Sequence, residues 1–137
     1  MSTAGKLHHV GFVVPSIAAA APQFSAGMQM SWDGRVFHDP VQTVRVAFLA
    51  HSTPHAPLIE LVEPADKESR VAGFLKRGGG LHHLCYEVPV LDEEVERSLA
   101  AGSILVADAA AAVAFQGRRI AWVCTPGRLL IEYLEQG

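Results

Sequence analysis

The sequence contains few of the features that mark secreted or membrane-spanning proteins. Only two of its 137 residues are cysteine, and Cys85 and Cys124 each lie in an apolar, strand-like run. A reduced cysteine in such a run behaves as a small buried hydrophobic residue, so we expect no disulfide. The longest alanine-rich, mainly apolar stretches, residues 17–22 and 107–115, are far shorter than the roughly 18 residues that a membrane-spanning helix requires.

The low charge and the N-terminal sequence argue against further classes of protein. Charged residues make up 18% of the chain and the formal net charge is −3, which argues against a nucleic-acid-binding surface and against disorder. The first residues, MSTAGKLHHV, lack the basic start, apolar middle and cleavage site of a secretory signal, so we expect a cytoplasmic location. Because half of the residues are hydrophobic, one globular domain over residues 1–137 is expected.

The sequence repeats itself. HHVGFVVP, which begins at residue 8, recurs as HHLCYEVP at residue 82, a shift of 74 residues. RVAFL at residue 45 matches RIAWV at residue 119 with the same shift, and LIELVE at residue 58 matches LIEYLE at residue 130 with a shift of 72. Three colinear matches predict two structural repeats, over about residues 5–65 and 81–137, which pack as one domain.

Each repeat is predicted to form a strand, a helix and three further strands, because apolar runs and alternation are followed by turn signals. In the first repeat these are Leu7–Val14, Ser16–Ala26, Ser31–His38, Thr43–Ala50 and Pro57–Glu63. In the second they are Leu81–Val88, Asp92–Ala101, Ile104–Ala107, Arg118–Thr125 and Leu129–Leu134. We expect a short helix in the linker, over Asp66–Arg77, closed by the glycines 78–80. Residues 107–114 show no clear period, so helix, loop and strand all stay open there.

Histidine and glutamate recur at matching positions of the two repeats. His9 and His83 lie in the first strands, and Glu60 and Glu132 lie between apolar residues of the last strands. A carboxylate among apolar neighbours is costly unless a cation or an arginine compensates it. Two imidazoles and two carboxylates suit one divalent ion such as Zn, Ni, Co, Mn or Fe(II).

Alternation alone leaves a rival pair of ligands open. His8 and His82 also repeat, and they point to the opposite faces of the same strands. A single strand histidine is more often part of the scaffold than a ligand. The joint recurrence of histidine and glutamate favours a metal site.

Several stretches resemble the vicinal oxygen chelate superfamily, which includes glyoxalases, bleomycin resistance proteins and dioxygenases. GGGLHHLCYEV and LIELVEP carry the most specific likeness, and LHHVGFVVPSI, VRVAFL, SRVAGFL, GRRIAWV and LLIEYLE extend it over nearly the whole chain. Within the superfamily the sequence is most similar to methylmalonyl-CoA epimerases and, more distantly, to glyoxalase I.

The resemblance implies a fold and a set of ligands. The fold is α+β, with two tandem βαβββ repeats that form a curved, mixed eight-stranded, cup-like sheet around the metal. The ligands are the second histidine of each HH pair and the glutamate of each LIE triplet, which correspond here to His9, His83, Glu60 and Glu132.

The resemblance also implies a reaction. Members use the metal to stabilise an enolate-type intermediate, so we expect an isomerase, epimerase or lyase in which Glu132 or Glu60 moves the proton. Glu87 is expected either to support a ligand or to be a solvated or strand-capping residue. Arg118 and Arg119, together with Arg128, are candidates to bind an anionic group of the substrate, although solvated arginines are the alternative. The expected partners are a small molecule, such as an acyl thioester or another carbonyl compound, and a second copy in a homodimer.

The sequence departs from the epimerase pattern at positions that bear on which substrate is bound. No acid occurs between Asp39 and Glu60, where some epimerases carry a further catalytic glutamate. The alanine run to residue 114 and the shortened CTPGR loop also differ from the epimerases, and these changes count against a coenzyme A thioester. A non-catalytic, antibiotic-type binding protein is the alternative function, and a ring-cleaving dioxygenase ranks last.

Overall fold

The computed structural model describes residues 5–137, so the predicted start of the domain at residue 1 lies outside the described residues. The described chain divides into two compact units. The N-terminal unit comprises residues 9–82, and the C-terminal unit comprises residues 83–137 together with 5–8. Within the described part of the chain, no helix is long and apolar enough to cross a membrane.

The N-terminal unit contains the first βαβββ repeat and the linker. Its elements are β1 (Lys6–Val13, of which residues 9–13 belong to this unit), α1 (Ile17–Met28), β2 (Met30–Trp32), β3 (Phe37–Asp39), β4 (Val44–His51), β5 (Leu58–Pro64) and α2 (Ala72–Lys76). The strands pair in the order β2-β4-β5-β1, and β3 also pairs with β4. The β1 and β5 strands are parallel, with Gly11 opposite Glu60.

The C-terminal unit repeats this arrangement. Its elements are β6 (Gly80–Val88, from residue 83 onward), α3 (Leu91–Ala100), β7 (Ile104–Ala111), a 3₁₀ turn (Val113–Phe115), β8 (Arg119–Cys124) and β9 (Leu130–Glu135). The strands pair in the order β6-β9-β8-β7. The β6 and β9 strands are parallel, with Cys85 opposite Glu132, which is the same register as in the first repeat.

In each unit the helix covers one face of the strands. Ile17 and Ala21 of α1 pack with Ala47, Leu49 and Leu61. In the second unit Leu91 of α3 packs in the same way, with Val88, Ala121, Val123 and Tyr133. Because successive strand residues point to opposite faces, Leu61 and Tyr133 face their helices while Glu60 and Glu132 point away from them.

These observations confirm the α+β class and both repeats, and they correct three details. The prediction of one strand over Ser31–His38 is wrong, because an Asp33-Gly34 turn separates β2 from β3. Asp33 Oδ1 accepts the Arg35 N–H at 2.9 Å and Gly34 has a φ of 84°. The described residues therefore form nine strands rather than eight.

The other two corrections concern the linker and the alanine run. The linker helix is confined to Ala72–Lys76, because side chains of Asp66 and Ser69 bind backbone N–H groups at 68 and 71 and hold turns before it. Residues 104–111 extend the predicted strand Ile104–Ala107 by four residues, and the chain then makes the 3₁₀ turn. In the described part of the chain, Cys85 and Cys124 are not joined by a disulfide.

Candidate metal and catalytic site

The first histidine–glutamate pair lies within the N-terminal unit. His9 is fully buried and Glu60 is 6% exposed. Their Nε2 and Oε1 atoms lie 3.4 Å apart, because the parallel register of β1 and β5 places the two side chains on the same face. The Phe48 ring of β4 contacts the His9 ring edge to face, with 5.5 Å between centroids.

The second pair has the same construction in the C-terminal unit. His83 is 3% exposed and Glu132 is 4% exposed. Their Nε2 and Oε1 atoms lie 3.5 Å apart. The Trp122 ring contacts the His83 ring at 4.8 Å between centroids, so Trp122 takes the place that Phe48 has in the first unit. The two pairs are equivalent in register, burial and aromatic neighbour.

Burial separates the two histidines of each HH pair. Along β1, His9, Gly11 and Val13 are buried, whereas His8, Val10 and Phe12 are half-buried. His8 contacts the Phe115 ring, and His82 contacts the Phe74 ring. His9 and His83 are thus the histidines that pair with Glu60 and Glu132.

The donor set of each pair fits a divalent ion. Transition metals are bound by histidine nitrogen and carboxylate oxygen at about 2.0–2.2 Å. Two such ligand atoms on one ion are roughly 3–3.5 Å apart, and the nitrogen–oxygen distances of 3.4 and 3.5 Å lie in that range. Both distances exceed those of a typical N–H···O hydrogen bond, about 2.7–3.2 Å. Each unit therefore supplies one nitrogen and one oxygen suited to a metal.

Glu87 is held by two cations rather than by solvent. Its carboxylate lies 2.7 Å from Arg118 Nη1 and 3.6 Å from Lys6 Nζ, and its side chain is 12% exposed. Burial raises the pKa of Glu87, but the hydrogen bond and charge of Arg118, with the charges of Lys6 and His8, outweigh it and leave the pKa lowered. The alternative that Glu87 is a solvated residue is wrong.

The two candidate substrate arginines differ in their partners. Arg119 lies 2.9 Å from Glu135 and 3.7 Å from Asp92. Arg118 binds Glu87 and the Glu135 carbonyl oxygen and lies over the Phe115 ring at 5.9 Å. Both guanidinium groups are therefore ion-paired within the C-terminal unit, and their role toward a substrate stays a prediction.

The structure also reveals a repeated contact that sequence reasoning missed. Glu63, at the end of β5, accepts the first N–H of α1 from Ile17 at 2.8 Å and pairs with Arg45 at 2.6 Å. Glu135 does the same at the end of β9, where it accepts the Leu91 N–H at 3.4 Å and pairs with Arg119. The signal was present, because the repeated RVAFL/RIAWV and LIELVE/LIEYLE segments carry the arginine and the second glutamate at matching positions.

Comparisons with known proteins identify the family of the chain. Residues 8–122 match the family model of the Glyoxalase/Bleomycin resistance protein/Dioxygenase superfamily, and the chain belongs to that superfamily. The ethylmalonyl-CoA/methylmalonyl-CoA epimerase of Cereibacter sphaeroides is 39% identical over 88 residues, which are 61% of this chain and 61% of that protein. The human mitochondrial methylmalonyl-CoA epimerase is 33% identical over 66% of this chain and 51% of its own length. The matches thus span about half to three fifths of these relatives.

Solved structures match over most of the chain. A hypothetical protein from Bacillus halodurans has a TM-score of 0.83 and 29% identity, and the match covers 97% of this chain and 95% of that one. The methylmalonyl-CoA epimerase of Mycobacterium tuberculosis has a TM-score of 0.81 and 31% identity, over 96% of this chain and 88% of that one. The fold predicted from the sequence is therefore that of the superfamily.

Proposed function

We propose that the chain is a metal-dependent epimerase that acts at the carbon next to the carbonyl of an acyl-CoA thioester. For this substrate, the relatives named methylmalonyl-CoA epimerases outweigh the alanine run and the shortened CTPGR loop, which counted against it. The main support is that each repeat contains a buried histidine–glutamate pair. The Nε2–Oε1 distance is 3.4 Å within the first pair and 3.5 Å within the second. Support also comes from the relatives that are named methylmalonyl-CoA epimerases and from a family model that matches residues 8–122.

The proposed site draws on both repeats of one domain over residues 1–137. His9 and Glu60 would bind one side of a single divalent ion, and His83 and Glu132 the other. The bound ion would stabilise the negative charge that develops on the carbonyl oxygen of the substrate, by roughly several kcal/mol. Which divalent ion is bound depends on supply as much as on the ligands.

The protein groups then move the proton. One carboxylate, Glu132 or Glu60, takes a proton from the carbon next to the carbonyl, and the electron pair of the broken C–H bond moves into the carbonyl group. The other carboxyl group, which is protonated at the start of the turnover, gives its proton to the opposite face of the same carbon, so the configuration is inverted and the two groups exchange protonation states. In the strand register Phe48 of β4 lies opposite Glu60, and Val44 and Val46 share its face. The strand β4 therefore adds no third carboxylate to Glu60 and Glu132.

Three further expectations belong to this proposal. Arg118 or Arg119 would bind an anionic group of the substrate. Homodimer formation and a cytoplasmic location remain predictions.

Hydrogen exchange with solvent tests the function directly. Purified protein with added Co²⁺ is mixed with methylmalonyl-CoA in D₂O, and deuterium incorporation is followed by NMR. We expect exchange by the wild type and a loss of about 10²–10⁴-fold in Glu132→Gln or Glu60→Gln, the usual contribution of a general base. Glu96→Gln, which changes an exposed glutamate of α3, serves as the matched control and keeps full activity. Tight binding of the thioester without any exchange would refute the epimerase proposal and favour the binding protein.

A further inference from the structure

A groove in the N-terminal unit has a composition suited to a phosphorylated ligand. It has a volume of about 350 Å³ and is formed where β1 and β5 end and the linker begins. Its apolar walls are Pro15, Pro64, Ala72 and Leu75, and its charged rim consists of Lys67, Lys76 and Asp66. A volume of this size is at the lower end of the range for small-molecule sites, roughly 300–1,000 Å³.

The charge around this groove differs from that of the whole chain. Residues 66–77 contain four basic side chains and two acidic ones, although the chain has a net charge of −3. Asp66 is the acidic residue on the rim, and its Oδ1 accepts the Glu68 N–H at 2.8 Å, so its carboxylate is engaged in the turn. Lys67 and Lys76 are exposed and leave the rim cationic.

The groove walls are fixed by the backbone. Gly79, with a φ of 66°, lies so close to the end of β1 that an added Cβ would stand 2.8 Å from the Val13 carbonyl oxygen. Any other residue there would push the linker away from β1. Two prolines add rigidity on the other side, so little ordering is needed when a ligand binds.

The position of the groove relates it to the proposed site. Glu60, Val62 and Pro64 share one face of β5, because side chains alternate along a strand. Pro64 is four residues beyond Glu60, which corresponds to roughly 13 Å of strand. A ligand that reached from Glu60 to the groove would thus be extended, with its anionic end away from the metal.

We infer that this groove binds the phosphorylated nucleotide end of a coenzyme A thioester, an inference that rests on the proposed function. The phosphates lie beside Lys67 and Lys76, the adenine packs on Pro15, Pro64 and Leu75, and the extended pantetheine arm runs along the Glu60 face of β5 toward the metal. The second repeat offers a contrast, because the pocket that contains Pro89, the counterpart of Pro15, is lined by Glu93 and Glu94 as well as Arg97. That pocket does not suit phosphates.

Two substrates that differ only in the nucleotide test the inference. KM and kcat are measured for methylmalonyl-CoA and for methylmalonyl-pantetheine, with wild type, Lys67→Glu/Lys76→Glu and the milder Lys67→Gln/Lys76→Gln. We expect the charge reversal to raise KM for the CoA thioester at least tenfold at unchanged kcat and to leave KM for the pantetheine thioester unchanged. The matched control, Arg35→Glu/Arg97→Glu, makes the same change of charge outside the groove and is expected to match the wild type.

Direct binding separates this inference from the proposed function. Adenosine 3′,5′-bisphosphate is titrated into each variant by calorimetry. Binding that the lysine variants lose supports the groove even if the wild type shows no epimerase activity, which would refute only the proposed function. The inference is overturned if the active wild type does not prefer the CoA thioester, if both substrates respond equally to the lysine changes, or if the bisphosphate does not bind.

Discussion

At the scale of single residues, the aromatic rings beside the two histidines support the candidate metal site as much as the histidines themselves do. Phe48 and Trp122 each contact the histidine of their own unit and stand opposite the glutamate in the strand register. A ring in this position restricts the orientation of the imidazole and excludes water from one side of it. Ligands held in this way need little reorganisation when a metal binds.

Trp122 gives the site its own spectroscopic probe. The Trp32→Phe variant leaves Trp122 as the single tryptophan, and we expect its fluorescence to be quenched by Co²⁺ or Ni²⁺ until one equivalent has been added, because His83 contacts the ring. The quenching should disappear in Trp32→Phe/His83→Ala. In the converse variant, Trp122→Phe, only the fluorescence of Trp32 is measured, and we expect the metal to quench it weakly. Equal quenching of the two tryptophans would argue against a metal beside His83.

At the scale of elements, the contact of Glu63 with α1 and Arg45 joins a strand end, a helix start and a neighbouring strand. We expect Glu63→Ala to lower the free energy of unfolding by about 1–2 kcal/mol, because a helix N–H loses its acceptor. Urea denaturation measures this loss. Glu68→Ala, in the exposed part of the linker, is the control, and an equally small effect of both substitutions would show that the contact contributes little.

The equivalent contact in the second unit should depend on pH. The hydrogen bond from Arg119 lowers the pKa of Glu135, burial opposes it, and the Leu91 N–H and the charge of Arg119 add to the lowering. A carboxyl group whose pKa is lower in the folded state stabilises the fold above its unfolded pKa, about 4.3, and this stabilisation is lost as the pH falls through the folded pKa.

The Tm of wild type should therefore exceed that of Glu135→Gln at pH 7, and the difference should shrink as the pH falls below the unfolded pKa of about 4.3. Thermal unfolding monitored by circular dichroism between pH 7 and about pH 3 measures it, with Glu96→Gln as a control whose difference from wild type stays constant. A difference that persisted unchanged to pH 3 would mean that Glu135 does not act through its charge.

The elements show what could be predicted from the sequence and why the rest could not. The strand β1 has one buried face and alternates clearly, so its position could be predicted from the sequence. The repeat identified the paired histidines and glutamates, and the family resemblance then favoured His9 and His83 over His8 and His82. The strand β7 has no such face, since all its residues except the half-buried Ala107 are exposed, and therefore no period could be detected. The Asp33-Gly34 dipeptide is a turn signal, but the neighbouring residues favour a strand, so one continuous strand was predicted. Distances, ion pairs and the groove arise from contacts between distant segments.

At the scale of the whole molecule, a metal that binds only the folded chain must stabilise it. At a free metal concentration of 100 times Kd the gain is about 2.7 kcal/mol, which corresponds to a rise in Tm of roughly 5–11 °C for a chain of this size. We expect chelator treatment to lower Tm by this amount and Co²⁺ to restore it. Glu60→Gln/Glu132→Gln should not respond to either, and a chelator effect of equal size in that variant would place the metal elsewhere.

The most direct measurement is the metal content of protein purified without a chelator or an affinity tag. Elemental analysis compares the wild type with His83→Ala/Glu132→Ala and with His8→Ala/His82→Ala, which removes the rival histidines. We expect about one divalent transition metal ion per chain in the wild type and in the rival variant, by the usual stoichiometry of such sites, and its loss in His83→Ala/Glu132→Ala. Metal-free wild type, or equal metal in all three proteins, would contradict the proposed site.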